Sequence, residues 1–148
     1  MIKRSKQREC IKQFLMGRTD HPTAETIYIH LREQMPSISL GTVYRNLSLL
    51  ADMGEIRKLS PGMGPDHFDA NVMPHNHFIC RNCGNILDLN MKNIDHITEM
   101  AEENFDGVIE DYVTYFYGTC PDCLERGFFP TKKPVDKTVF SYNNNVIN

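Results

Sequence analysis

The sequence predicts an α+β protein in which a winged helix-turn-helix is followed by a small α+β domain with a four-cysteine zinc site. Three observations lead to this fold class. The first half of the 148 residues has the pattern helix, helix, helix, hairpin, and the second half contains two Cys-x-x-Cys pairs. The charge divides as well: residues 1–60 carry ten Lys and Arg against six Asp and Glu, whereas residues 61–148 carry six against thirteen. A basic half suits phosphate and an acidic half suits cations.

Three helices are predicted in the first half. The first covers residues 7–16, the second begins at the N-cap Thr23 and ends before a Met-Pro pair, and the third begins at the N-cap Ser39 and ends at Gly54. Each has apolar residues at helical spacing, so each should bury one face. These residues are Ile11, Phe14 and Leu15; Ile27, Tyr28 and Leu31; and Leu40, Val43, Leu47 and Leu50.

A short β-hairpin should follow, with strands at 56–59 and 67–69 around a turn rich in Pro and Gly. This order of elements is that of a winged helix-turn-helix. The third helix carries polar types that suit the DNA groove, since Arg reads guanine, Asn reads adenine and an aromatic ring contacts the thymine methyl. These candidate DNA contacts are Thr42, Tyr44, Arg45 and Asn46. The alternative is a helical bundle with a solvated polar face; helix order and basic charge favour double-stranded DNA.

Cysteine spacing indicates structural zinc. No apolar run follows the basic N-terminus, so an export signal is not expected and disulfides are disfavoured. Two Cys-x-x-Cys pairs then predict a closed tetrahedral zinc site made by Cys80, Cys83, Cys120 and Cys123. Turn signals near each pair, Gly84 among them, would let the thiolates converge. The alternative is two redox or disulfide pairs.

The second half reads as a small α+β unit. Strands are expected at 77–80 and 86–89, a helix at 92–105 with one apolar face, and an alternating strand at 108–117. Such a unit buries little core alone, so that a metal and a partner subunit would both stabilise it.

The chain divides into a winged-helix domain over residues 1–65, a metal-binding domain over 66–123 and an irregular tail over 124–148. No apolar run reaches the roughly 20 residues that span a bilayer. We therefore expect no membrane association and a cytoplasmic protein.

A second metal site is suggested next to the first zinc pair. His75 and His77 would project to the same side of an extended strand, with Asp69 upstream and Asp88 on the following strand. Imidazoles and carboxylates together suit iron(II) or manganese(II). The alternative is surface histidines beside solvated aspartates. His21, between the first two helices, could cap a helix or be exposed; if it reached this site, bound metal would fix the angle between the domains.

These residues resemble the ferric uptake regulator family of bacterial metal-dependent repressors over about residues 5–123. The matching segments are QR at 7–8, HPTA at 21–24, GTVYRNL at 41–47, HNHFICRNCG at 75–84 and YGTCPDC at 117–123. The resemblance implies a homodimer with an N-terminal winged helix and a C-terminal α+β dimerisation domain. It also implies that the four paired cysteines hold structural zinc.

For the regulatory iron(II) or manganese(II) site, the resemblance implies five ligands: His21, Asp69, His75, His77 and Asp88. Aspartate at the position of Asp69 is typical of the peroxide-sensing members, whereas the iron-sensing members usually carry glutamate there. Asp88 also matches the peroxide sensors. Arg45 departs from this pattern, because arginine is common at that position among iron sensors.

The mechanism implied by the resemblance is a metal-dependent switch. Metal joins His21 to the dimerisation domain, the dimer closes and it binds a palindromic operator. Peroxide then reacts at bound iron(II), an oxygen atom adds to a ligand histidine, by analogy His21 or His75, and repression ends. The nearest alternative is a repressor of the same family that senses the availability of iron, manganese or zinc.

Two other classes of protein remain possible from the residues alone. A metalloenzyme would use His75, His77 and Asp69 to hold a catalytic ion, but no motif such as His-Glu-x-x-His assigns a general base. A zinc-stabilised interaction module would bind no DNA. The sequence therefore predicts a regulator rather than an enzyme.

Overall fold

The computed structural model describes residues 5–92 and 94–130 of the chain. Three helices and a hairpin come first, and a three-stranded sheet with two short helices follows. The elements are α1 Lys6–Leu15, α2 Ala24–Gln34, α3 Leu40–Asp52, β1 Arg57–Leu59, β2 His67–Asp69, β3 Asn76–Cys80, β4 Ile86–Leu89, α4 His96–Glu102, β5 Tyr115–Gly118 and α5 Pro121–Glu125.

The three N-terminal helices form as predicted, and their caps explain where two of them begin. The Thr23 hydroxyl accepts a hydrogen bond from the backbone N–H of Thr26, and the Ser39 hydroxyl accepts one from the N–H of Thr42. The apolar faces meet in one core. Its helical members are Ile11, Leu15, Ala24, Ile27, Leu31, Val43, Leu47 and Leu50.

The hairpin of β1 and β2 is antiparallel and contributes to two cores. Phe68 on β2 packs into the helical core. Leu59 on β1 is fully buried in a second core with Ile79 and Ile86, against Tyr115. Strand β2 lies beyond residue 65, so the wing itself crosses the position where the sequence suggests that one domain ends.

The second sheet has the order β4-β3-β5, and β3 is its central strand. Strand β3 pairs antiparallel with β4 and parallel with β5. A parallel pair needs a crossover connection, and residues 90–114, which include α4, supply it. Because β3 and β5 are parallel, their C-terminal ends lie at the same end of the sheet. The first cysteine pair begins at the end of β3 and the second follows the end of β5, so the two pairs come close together.

The predictions for residues 92–117 were partly wrong. The helix spans His96–Glu102 rather than 92–105, and none of its residues is buried. The strand spans Tyr115–Gly118 rather than 108–117. Apolar side chains there have helical or alternating spacing, but within the described chain they find little to pack against: Val108 is 81% exposed and Phe105 is 55% exposed.

Two further boundaries differ from expectation. The second cysteine pair lies at the start of the short helix α5, with Pro121 in its first turn, where a proline fits because its missing N–H needs no partner. The predicted irregular tail therefore begins after Glu125, not at residue 124. Residues 131–148 of that tail lie outside the described residues. In the described part of the chain, no helix is long and apolar enough to cross a membrane.

Two tyrosines on β5 attach the wing to the second sheet. The Tyr115 hydroxyl accepts a hydrogen bond from the backbone N–H of Ser60 at 3.2 Å, and the Tyr117 hydroxyl donates one to the carbonyl oxygen of Pro61 at 2.9 Å. Arg57 adds an ion pair with Asp111 at 3.5 Å. The hairpin is thus held to the sheet by contacts that involve no metal ligand.

Replacing Tyr117 by Phe should weaken this attachment. The substitution leaves the Pro61 carbonyl without its donor, so the free energy of unfolding should fall by about 0.5–1.5 kcal/mol in urea denaturation. Tyr112→Phe is the matched control, because the Tyr112 hydroxyl makes only a long, exposed 3.5 Å contact with Asp95. Equal losses in the two variants would show that the bond to Pro61 is not a specific attachment.

Candidate metal centres and nucleic-acid interface

The structure brings the four paired cysteines together at one end of the second sheet. Their sulfur atoms all lie within 4.8 Å of one another, and Cys83 Sγ and Cys120 Sγ are 3.7 Å apart. A zinc–sulfur distance of about 2.3 Å at a tetrahedral angle separates the sulfurs by about 3.8 Å, whereas a disulfide needs about 2.05 Å. All five cysteines are free. The cluster therefore fits a closed zinc site rather than two disulfides.

Local structure explains this convergence. Cys80 ends β3, and the turn that carries Cys83 closes through Gly84, whose φ of +75° favours glycine. Cys120 is the N-cap residue of α5 and Cys123 lies within that helix. The backbone N–H of Cys120 also donates to Cys80 Sγ at 3.3 Å.

The protonation of these thiols matches a metal site. Burial raises the pKa of Cys80, but backbone N–H donors from Cys83 and Cys120 outweigh burial and lower that pKa to about 6. Burial and the neighbouring sulfurs raise the pKa of Cys123 to about 12. Four adjacent thiols cannot all ionise without a nearby cation, and a zinc ion would supply that charge.

The second cluster joins the two parts of the chain. Its five side chains each offer one ligand atom, and these atoms all lie within 4.8 Å of one another; they belong to His21, Asp69, His75, His77 and Asp88. Four come from the hairpin and the second sheet, on β2, just before β3, on β3 and on β4. The fifth comes from the connection between α1 and α2.

The donor atoms face a common point. His21 Nε2 lies 2.9 Å from Asp88 Oδ1, and His75 Nε2 lies 2.9 Å from Asp69 Oδ2. His77 Nε2 is 3.4 Å from the same Asp69 oxygen. Both His21 Nε2 and His75 Nε2 are buried without an aligned hydrogen bond. Buried nitrogens of this kind usually have a partner, and a metal ion held by all five residues would supply it.

Backbone acceptors fix the two histidine tautomers. His21 Nδ1 lies 3.1 Å from the carbonyl oxygen of Ile86, and His75 Nδ1 lies 2.8 Å from that of Met73. A carbonyl oxygen only accepts, so each Nδ1 carries the proton and each Nε2 keeps its lone pair for a metal. Sequence reasoning missed these two acceptors. No sequence signal could have revealed them, because every residue type carries the same carbonyl group.

The electrostatics are those of a cation site. Burial alone would lower the pKa of His21, but its contacts with Asp69 and Asp88 outweigh burial and raise that pKa. Burial alone would raise the pKa of Asp69, but His21, His77 and the backbone N–H of Asn71 hold it well below its ordinary range. The Asn71 N–H occupies Asp69 Oδ1 at 2.7 Å, so that Oδ2 faces the imidazoles. Three nitrogen and two oxygen donors suit iron(II) or manganese(II).

His21 reaches this point in a strained backbone conformation. Its φ is +45°, and among the described residues it is the only non-glycine with a positive φ. Such a conformation costs about 1–3 kcal/mol and persists only where surrounding contacts enforce it. Of the alternatives left open for His21, an exposed side chain is excluded, because it is 1% exposed and meets the other four residues of the cluster.

The candidate DNA contacts lie on α3 but differ in exposure. Tyr44 and Arg45 are exposed, whereas Thr42 and Asn46 are only half exposed. The Tyr44 hydroxyl donates to Glu25 at 2.7 Å. Thr42 accepts from Arg45 at its hydroxyl and from the Asn46 amide at its backbone oxygen, each at 2.9 Å. Tyr44 and Arg45 are therefore the more accessible pair for a DNA groove.

Metal affinity at the second cluster should depend on pH in a defined direction. The raised pKa of His21 means that the metal-free protein keeps a proton there above pH 6.5, and a metal must displace that proton. Manganese(II) affinity, measured by titration, should therefore be tighter at pH 8 than at pH 6.

The stability of the metal-free protein should depend on pH in the opposite direction, through His21. Its contribution to stability is fully present below the unfolded pKa of about 6.5 and is lost as pH rises through the raised folded pKa. Asp69 stays ionised throughout this range, because its pKa is lowered. A manganese affinity that does not change between pH 6 and pH 8 would contradict the assignment of His21 as a ligand at which metal displaces a proton.

Comparison with known proteins is consistent with this geometry. The model of the ferric uptake regulator family matches residues 1–115. The peroxide-responsive repressor of Staphylococcus epidermidis is 35% identical over 121 residues, which are 82% of this chain and 81% of that protein. The corresponding repressor of Staphylococcus aureus is 33% identical over 125 residues, 84% of each chain.

Solved structures agree with the fold. The peroxide stress regulator of Campylobacter jejuni superposes with a TM-score of 0.70 at 29% identity, covering 79% of this chain and 88% of that one. The ferric uptake regulator of Helicobacter pylori gives 0.71 at 23% identity, covering 83% of each chain, and supports the fold alone. The predicted fold class, a winged helix-turn-helix followed by an α+β dimerisation domain with a four-cysteine site that fits zinc, is confirmed. The chain belongs to the ferric uptake regulator family of metal-responsive repressors.

Proposed function

We propose that this chain is a homodimeric repressor that binds a palindromic operator when iron(II) or manganese(II) occupies the second cluster, and that it senses peroxide. The observation that carries this proposal is the position of His21. It lies between helices of the DNA-binding part, yet its imidazole is within reach of Asp69 and Asp88. A metal held by all five residues would therefore tie the helices to the second sheet.

The cysteine cluster is proposed to hold a structural zinc ion. Zinc held by Cys80, Cys83, Cys120 and Cys123 would join the end of β3 to α5. We assign residues 1–65 together with the wing strand β2 to the DNA-binding domain, the rest of the chain as far as Glu125 to the dimerisation domain and the residues after it to a tail, in a cytoplasmic protein. The exposed apolar side chains of α4 and its surroundings, which include Phe105 and Val108, would lie against the partner subunit.

Operator binding would use α3. Two such helices in a dimer would enter successive major grooves about 34–36 Å apart. Thr42, Tyr44, Arg45 and Asn46 would face the DNA, with the exposed Tyr44 and Arg45 contacting base edges. The Thr42 hydroxyl accepts a hydrogen bond from Arg45 and so orients its guanidinium group. The bond from Tyr44 to Glu25 fixes the ring relative to α2.

Peroxide sensing is supported by the ligand set and by access to it. Four ligands are largely buried, but the side chain of Asp88 is 35% exposed. A cleft of about 260 Å³, lined by residues 16–19, Ala70, Asn71 and Asp88, leads to it. A small molecule such as hydrogen peroxide could enter by this side. The curated relatives at 33–35% identity are peroxide-responsive repressors, which favours the same signal here.

The chain's part in sensing is to present an imidazole ring to the oxidant. Iron(II), when bound, supplies the chemistry that splits peroxide. One peroxide oxygen adds to a ring carbon of His21 or His75 and the other leaves as water, so the balance is one oxygen gained by the protein. The oxidised ring then no longer binds the metal, and the link from His21 to the second sheet is broken.

This proposal is tested in two steps with the full chain. DNA sequences are first selected from a random library with manganese-loaded protein, and we expect a palindrome whose binding weakens with salt and with Arg45→Ala. Iron-loaded and manganese-loaded samples are then pulsed with hydrogen peroxide without oxygen. Only the iron sample should lose DNA binding and gain one oxygen atom on the peptide that bears His21 or His75.

Each failure points to a different alternative. Operator binding that follows metal supply but leaves both samples unmodified would mean a sensor of iron, manganese or zinc availability. Failure to enrich any DNA sequence would contradict the repressor itself and favour a metalloenzyme or a zinc-stabilised interaction module. The manganese sample is the matched control, since it has the same fold and the same ligands but does not readily reduce peroxide.

A further inference from the structure

We propose that His67 is a positioning residue for the metal ligand His21, which it holds through the backbone carbonyl group rather than through the imidazole. This inference rests on the proposed metal centre. His67 lies on β2 and is half-buried. His67 is not one of the five candidate metal ligands.

The contact is short and its direction is fixed by chemistry. His67 Nδ1 lies 2.6 Å from the carbonyl oxygen of His21. Because that oxygen only accepts hydrogen bonds, Nδ1 of His67 carries the proton and donates it. The bond thus joins a side chain of the wing to the backbone of the segment between α1 and α2.

His21 needs such an external contact. Its φ of +45° is disfavoured for a residue with a Cβ atom. The following residue is Pro22, which further restricts the conformations open to His21. Without outside bonds this backbone would relax toward negative φ, and the imidazole would move away from Asp88 and the other ligands.

Strand β2 holds this segment at successive points. His67 bonds the carbonyl oxygen of His21, and the backbone N–H of Phe68 donates to the carbonyl oxygen of Pro22 at 3.0 Å. His67 also forms an isolated β-bridge with Thr23. Phe68 is anchored in the helical core. The strand is therefore a rigid support for residues 21–23.

The same strand also supplies a ligand. His67 and Asp69 are two residues apart, so they lie on the same face of β2. From that face, His67 bonds the backbone of His21 while Asp69 Oδ2 lies 3.4 Å from its Nε2. One strand thus sets both the backbone conformation of His21 and the distance from its imidazole to a carboxylate ligand.

The test compares two substitutions of His67 in the zinc-loaded full chain. His67→Phe keeps a ring but removes the donor, whereas His67→Asn keeps an N–H at the position of Nδ1. We expect manganese(II) affinity to fall about 10- to 100-fold in His67→Phe, as is typical when a group that orients a metal ligand is lost. His67→Asn should stay within about threefold of the wild type.

A second readout separates positioning from general stability. The gain in Tm on adding manganese(II) should shrink in His67→Phe, while zinc content and the Tm before manganese is added stay close to those of His67→Asn. If His67→Phe does not fold, His67→Leu replaces it as the variant without a donor, and it should show the same loss of affinity.

Two results would overturn the inference. One is wild-type manganese affinity in a folded variant that lacks the donor. The other is an equal loss of affinity in His67→Asn, which would mean that the N–H is not what matters. Failure of the proposed centre gives a different result: the wild type would bind manganese no better than His77→Ala, and this inference would fall with it.

Discussion

The arrangement of this protein depends on His21 meeting the carboxylates of Asp69 and Asp88. Three helices and their core lie on one side of this contact, and the three-stranded sheet with its cysteine cluster lies on the other. The contact is electrostatically favourable even without metal, since the carboxylates raise the pKa of His21 while the histidines lower that of Asp69. A divalent cation in place of the proton would strengthen the same link. Metal occupancy would therefore set the position of the helices relative to the sheet.

The wing limits how far the helices can move relative to the second sheet. Leu59 is buried with the second sheet and Phe68 with the helices, and Ser60 and Pro61 are bonded to tyrosines of β5. The hairpin therefore belongs to both cores. Loss of the metal contact would act first on the strained segment around His21, which would then be held by its bonds to β2 and to Ile86, whereas the hairpin has its own attachment to the sheet.

Much of this could be predicted from the sequence, and the reasons for success and failure are physical. Helix positions follow from apolar spacing and from the caps at Thr23 and Ser39, which are local effects. The cysteine cluster follows from spacing that only a few chemistries explain. The lengths of α4 and β5 did not follow, because apolar residues beside these elements, such as Phe105 and Val108, have little to pack against within the described chain. The conformation of His21 and its bond to His67 are non-local, since they join residues 46 positions apart, and single residue types do not reveal such contacts.

The measurement that tests the central claim most directly is a count of the imidazole nitrogens bound to manganese(II), made by pulsed electron paramagnetic resonance on the zinc-loaded protein. If one ion is held from both sides, the wild type should give the signal of three histidines, His21, His75 and His77. His21→Ala, with its zinc retained, should give the signal of two. The same nitrogen signal in both proteins would contradict the account, because the helices would then contribute no ligand and metal could not set their position.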